Sequence, residues 1–184
     1  KIMFSGGGTL GPVVPLLAVA EIYKKHNPQT EFIWVGTAKG PEKELVEQYQ
    51  IPFVHIFSGK LRRYFSLWNF FDVFKIVLAF FQSLFILWHG KPNLVVTAGG
   101  FVSVPLHFAA AVLGIPAWVH QQDAQVGLAN KIMARTAKKI TTALRETQTQ
   151  FVENKTEWIG NPVRDLSVKN INESRQKFGI PEGA

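Results

Sequence analysis

Cysteine is missing from all 184 residues, which excludes a disulfide framework and a thiolate metal site. The absence is compatible with the cytosol. His26, His55, His89 and His107 are scattered without ligand spacing, so no metal is expected, and no cofactor either. Acidic side chains are scarce: 13 Asp+Glu face 20 Lys+Arg, giving a net charge of +7 and a pI near 9.7. Such a balance favours anionic partners. No compact Lys/Arg block and none of the usual DNA- or RNA-binding motifs accompany it, so nucleic acid is not an expected partner. An anionic membrane surface or a phosphorylated small molecule fits better. The apolar run at the start is too short for a secretion signal. The longest charge-free part of the greasiest segment, Ile76–Trp88, falls short of the roughly 20 residues a spanning helix needs. Internal repeats and low-complexity tracts are absent too. What is present, 47% hydrophobic and 18% charged residues, makes a folded domain with a real core.

The most informative stretch is Ser5-Gly6-Gly7-Gly8-Thr9-Leu10-Gly11-Pro12. It follows the apolar Ile2–Phe4 and precedes a periodic segment, Val14–His26, so it reads as strand, glycine turn, helix. Glycine lets a ligand approach bare backbone, and a helix N-terminus offers unpaired N–H groups that suit phosphate. The same glycines also serve a plain tight turn. Further strands are expected at Glu31–Gly36, Phe53–Phe57, Leu94–Thr97, Ala117–His120, Ile140–Ala143 and Glu157–Ile159. Helices are expected at Pro41–Gln50, Val104–Leu113 and Gly127–Ala137. Alternating strands and helices predict an α/β fold, a Rossmann-like doubly wound parallel sheet. In such sheets ligands bind beyond the carboxyl ends of the strands. The glycine turn, Gly99-Gly100, the segment after His120, and Gly160-Asn161 would then gather on one edge. No acidic residue ends the second expected strand, which disfavours a dinucleotide-dependent oxidoreductase.

Tyr64–Trp88 is unusually aromatic. Part of it must cover the sheet, yet a helix with rings on several faces cannot bury them all in a domain this small. Lys60, Arg62 and Arg63 precede Trp68, Phe71 and Phe74, and basic residues beside exposed aromatics are the ingredients of an interfacial membrane patch.

Several segments go beyond a generic α/β domain. They are Gly7-Gly8-Thr9-Leu10-Gly11-Pro12, Gly99-Gly100-Phe101-Val102-Ser103, His120-Gln121-Gln122-Asp123 with Gly127-Leu128-Ala129-Asn130-Lys131, and Gly160-Asn161-Pro162-Val163-Arg164. In this order the chain resembles the amino-terminal half of MurG-type transferases of glycosyltransferase family 28. Those carry Gly-Gly-Thr-Gly-Gly-His, Gly-Gly-Tyr-Val-Ser, His-Glu-Gln-Asn with Gly-Leu-x-Asn-Lys, and Gly-Asn-Pro-Val-Arg. The resemblance implies a GT-B architecture in which residues 1–168 form the acceptor-binding domain. Residues 169–184 would be a linker toward a carboxy-terminal donor-binding domain. It further implies an inverting, metal-independent transfer of N-acetylglucosamine from UDP-GlcNAc to lipid I, a muramyl peptide on a polyprenyl diphosphate, giving lipid II for peptidoglycan. The enzyme would work as a peripheral protein at the cytoplasmic face of the bacterial inner membrane, and this domain alone would be inactive.

By the same resemblance, Gly7, Gly8, Thr9 and Gly11 form the turn between donor and acceptor. Gly99, Gly100 and Ser103 help to hold the acceptor diphosphate, and His120, Gln122, Asp123, Asn130 and Arg164 complete the substrate-binding set, Asp123 and Arg164 on the donor side. The departures also bear on chemistry. Pro12 stands where the family has His and can neither titrate nor donate, Leu10 replaces a glycine, and Phe101 replaces Tyr. Gln121 and Asp123 replace Glu and Asn, as though the carboxylate had moved two places, which makes Asp123 the candidate catalytic base toward the acceptor hydroxyl or, alternatively, an acceptor of a hydrogen bond from the sugar. Two other readings stay open: a related lipid-linked sugar transferase with a different acceptor, and a non-catalytic membrane-binding subunit that recruits a donor-binding partner. His120 at a strand end also suits a purely structural, hydrogen-bonded role.

Overall fold

The computed structural model describes residues 1–57 and 68–164, the side chains of 68–73 excepted. Seven parallel strands form one sheet: β1 Ile2–Ser5, β2 Phe32–Thr37, β3 Phe53–Ile56, β4 Leu94–Thr97, β5 Ala117–Gln121, β6 Lys139–Thr142 and β7 Thr156–Trp158. Their order is β3-β2-β1-β4-β5-β6-β7. The chain winds outward from β1 to β3, then restarts on the other side of β1 at β4. The switch point therefore lies between β1 and β4, where a doubly wound sheet opens its ligand crevice. The registers Ile2↔Phe32 and Ile2↔Leu94 bring Ser5, Val35 and Thr97 level; β1 and β4 end there together, while β2 runs two residues further to Thr37.

Helices connect them: α1 Val14–His26, α2 Glu42–Gln48, α3 Trp68–Gly90, α4 Ser103–Val112, α5 Leu128–Met133 and α6 Arg145–Gln148. The strands are short and apolar on both faces because both faces are covered. On one face Met3, Val35, Ile56 and Val95 pack with Leu87 of α3 and Leu106 of α4. On the other, Phe4 stacks on Trp34 at 5.8 Å between ring centroids, over Leu16 and Leu17 of α1 and Val46 of α2. Pro15 falls in the first turn of α1, where a missing N–H costs nothing.

The sequence-based elements differ from these mainly at their ends. β2 starts and stops one residue later than expected, and α5 ends at Met133 because Ala134 to Ala137 form turns and a loop before β6. The short α6 and the 3-10 turn Glu153–Lys155 carry too few apolar residues to have shown a period. The linker expected at residues 169–184 and the basic residues Lys60, Arg62 and Arg63 lie outside the described residues.

In α3 the inner face carries Ala79, Ser83 and Leu87, all buried. The outer face is apolar as well: Phe74, Val77, Leu78, Phe81, Phe85 and Trp88 recur at helical spacing, and the four aromatics are 61 to 68% exposed. No helix among the described residues is long and apolar enough to cross a membrane.

Candidate functional site

The site grows from two glycine turns at the switch point. After β1, residues 6–13 turn the chain into α1, with Leu10 O accepting from the Val13 and Val14 N–H groups. Gly8 has φ +81° and needs the left-handed region that glycine supplies. After β4, Gly99 (φ +105°) and Gly100 (φ +83°) turn into α4. The turns touch: a Cβ on Gly100 would lie 2.8 Å from the Gly7 carbonyl oxygen.

Two clefts flank this contact at the carboxyl ends of the strands. The first, of about 450 Å³, is bounded by Gly8, Thr37, Lys39, His55, Lys75 and Phe101. Gln82 of α3 also borders it, accepting from the Phe57 N–H at 2.8 Å, so the outer face of α3 runs up to its rim. The second, of about 400 Å³, is bounded by Gly11, Gln122, Asp123, Asn161 and Arg164. A roomier depression of about 790 Å³ lies at the opposite edge, near Lys24, Thr30, Gln50 and Pro52, away from the glycine turns.

Between the clefts is a buried polar frame. The His120 ring is 4% exposed with both nitrogens engaged, Nδ1 with Thr141 Oγ1 at 2.9 Å and Nε2 with Asn161 Oδ1 at 3.4 Å. Burial holds its pKa below the usual histidine value, and the bond to Asn161 works weakly the other way. The ring thus ties β5 to β6 and to the loop beginning at Gly160. Gln121, also buried, donates from Nε2 to Asp123 O (2.8 Å) and Gln125 O (3.3 Å), closing the loop that carries Asp123. Its Oε1 accepts from Asn130 Nδ2 at 2.7 Å, and Asn130 Nδ2 also reaches His120 O at 3.2 Å. Ser103 Oγ donates to Gly99 O at 2.8 Å and is wholly buried.

The sequence-derived set is therefore split by the fold. Gly11, Gln122, Asp123 and Arg164 share the second cleft, and Gly8 with Phe101 borders the first. Thr9 sits exposed at the tip of the turn, while Gly7, Gly99, Ser103, His120 and Asn130 are buried, and Gly100 is half-buried beside them. Asp123 is exposed and supplies the one carboxylate among the described residues lining its cleft. Arg164 Nη1 donates to Tyr49 OH at 3.0 Å. Trp68 and Phe71 fall among residues whose side chains are outside the description, and Phe74 stands on the exposed stripe. Among the described residues no group of His, Asp and Glu is arranged to hold a metal.

Sequence reasoning missed Glu42 altogether. Its carboxylate is fully buried and accepts from Gly8 N–H (3.2 Å), Thr37 N–H (2.7 Å) and Thr37 Oγ1–H (2.6 Å). A Cβ on Gly7 or Gly40 would overlap that carboxylate. Gly7 is glycine here to leave room for a neighbour, since its φ is not positive.

A doubly wound sheet with glycine turns and paired clefts at its switch point defines a Rossmann-like α/β domain, and comparison with known proteins narrows it. Residues 2–142 match the glycosyltransferase family 28 N-terminal domain. The chain belongs to that family. It is 39% identical over 165 residues to the UDP-N-acetylglucosamine–N-acetylmuramyl-(pentapeptide) pyrophosphoryl-undecaprenol N-acetylglucosamine transferase of Borrelia hermsii, covering 89% of this chain and 46% of that protein. The transferase of the same name from Treponema denticola is 41% identical over 174 residues, covering 89% and 44%. The crystal structure of Acinetobacter baumannii MurG superposes with a TM-score of 0.73 at 28% identity, covering 90% of this chain and 46% of that one. A UDP-GlcNAc 2-epimerase from Methanocaldococcus jannaschii, 15% identical with a TM-score of 0.65 over 87% of this chain and 45% of its own, shares the fold alone. The chain spans about half the length of the curated relatives it matches.

Proposed function

We propose that this chain is the acceptor-binding half of an enzyme that moves N-acetylglucosamine from UDP-GlcNAc to lipid I, with its outer α3 face resting on the cytoplasmic surface of the membrane. The observation that carries this reading is the joining of two features on one edge. A cleft bordered by Lys39, His55 and Lys75 opens beside the Gly8 turn, and an uninterrupted apolar stripe leads away from it along α3. A polyprenyl diphosphate has that same division, an anionic head on a greasy tail. Exposed aromatics on a helix face suit the headgroup–acyl boundary, and a net charge of +7 favours an anionic surface.

The second cleft supports the chemistry. An acceptor hydroxyl attacks the anomeric carbon, its proton passes to a base, and UDP leaves from the opposite face of the sugar. Asp123, exposed in the cleft on a loop that Gln121 braces, is the group in place to take the proton, while Pro12 has nothing to offer. Arg164 on the same cleft supplies positive charge toward a diphosphate. His120, with both nitrogens engaged, orients the frame.

The test is transfer of labelled N-acetylglucosamine from UDP to a lipid I analogue by the complete gene product. Product from the wild type with a loss of at least about 100-fold in kcat for Asp123→Asn supports both readings. Full activity in Asp123→Asn ends the base role, and no product from a folded wild-type enzyme ends the transferase reading.

A further inference from the structure

Glu42 is a buried carboxylate without an ion-pair partner among the described residues, a costly arrangement unless several donors satisfy it. Three do, and all three are donors only toward it: two backbone N–H groups and one hydroxyl, from Gly8 and Thr37. The space for it is made by residues lacking side chains. A Cβ on Gly7 or Gly40 would overlap the carboxylate, and one on Gly36 would come within 3.2 Å of Glu42 Cγ. The chain thus gives up side chains at Gly7 and Gly40 to seat one acidic group under the first glycine turn, while at Gly36 the Phe53 ring is the nearer obstacle.

Its position explains why. Gly8, Thr37, Gly40 and Pro41, which bond or adjoin Glu42, form one wall of the cleft that also holds Lys39 and His55. The cleft of Gly11, Asp123 and Arg164 includes none of them. We propose that Glu42 is the positioning residue of the acceptor side: it ties the Gly8 turn to the end of β2 and so sets the shape of the pocket that takes the anionic end of the acceptor. The inference rests on the transferase reading above. It also assigns the Gly8 N–H to the protein's own carboxylate and leaves the side chains at the cleft rim to meet the ligand. A neutral amide cannot replace the carboxylate, because one end of Gln would then set its NH2 against an N–H donor.

The test uses the complete gene product with Glu42→Gln. The expected result is an acceptor KM raised at least about tenfold, with the affinity for UDP changed less than about twofold. In 15N-labelled protein the Gly8 amide proton, held downfield by the carboxylate, should shift upfield and exchange faster. If Glu42→Gln does not fold, Gly40→Ala keeps the carboxylate but pushes it with a methyl group, and the same split between acceptor and donor is expected. Equal losses toward acceptor and donor tracking a lowered Tm overturn the proposal, as does an unchanged acceptor KM. A wild-type enzyme that transfers nothing overturns the transferase reading and the acceptor role with it, while the Gly8 signal separately reports whether the tether exists.

Discussion

At the scale of single residues, polar groups sunk beneath the glycine turns decide most. His107 of α4 is wholly buried, and neither ring nitrogen has a hydrogen-bond partner among the described residues. Burial pushes its pKa down to about 4, and the nearby Met133 backbone offsets this only slightly. The folded state therefore keeps this ring neutral, while the unfolded chain takes up a proton once the pH drops through about 6.5. Stability from this group is whole above that pH and is lost progressively as pH falls toward 4, about 3 kcal/mol across the window. His120, lowered in the same direction, adds to the slope. Replacing His107 by Leu should flatten the dependence of Tm on pH between 7 and 4.5. An unchanged slope would show that the ring titrates freely. Neither His107 nor Glu42 was legible beforehand. A histidine in a small-residue helix and a glutamate in a first helical turn both look like ordinary surface choices, and only contacts from distant segments bury them. The glycine turns were legible, since Gly8, Gly99 and Gly100 need a backbone conformation the residue type itself announces.

Among the elements, α3 separates the two possibilities its composition left open. The sequence shows rings all round but not which of them the sheet covers, because that depends on where α4 lies. The fold sends Ala79, Ser83 and Leu87 inward and leaves Phe81, Phe85 and Trp88 outside. Phe81→Glu and Trp88→Glu should each weaken sedimentation with phosphatidylglycerol vesicles by about fivefold or more, with Tm nearly unchanged. Leu87→Glu at a buried position should instead cost several kcal/mol, on the order of 4, and lower Tm sharply. Vesicle binding that survives both exposed substitutions would remove α3 from the membrane surface. Strands were read well because a fully covered parallel strand is a short apolar run with turn residues at its end. Helix ends were read less well, as at α5, where Ala134 to Ala137 keep a helical composition after the helix has stopped.

For the molecule as a whole, the doubly wound parallel sheet and the gathering of motifs at its carboxyl edge were foreshadowed by the spacing of glycine motifs after successive strands; the strand order and the division into two clefts were not. The sorting of residues between clefts was not, because it depends on the angle at which each turn leaves the sheet. The cleft of Asp123 and Arg164 is open on one side, and this chain matches about half of each relative. On the reading proposed above, with this chain as the acceptor-binding half, residues 1–184 should show no saturable UDP binding below about 1 mM by calorimetry. Tight binding by the half would mean that the donor site is already complete here. The contact between the two glycine turns has a consequence for how this family can vary. Gly100 faces the Gly7 carbonyl at a distance that excludes even a methyl group, and its positive φ is itself closed to most side chains. A mutation that adds bulk can ordinarily be rescued by trimming the opposing residue. Here the opposing group is a backbone carbonyl and nothing remains to trim, so no compensating second mutation at the contact exists, and a lineage that loses Gly100 has to rebuild the junction of β1 and β4 or abandon it.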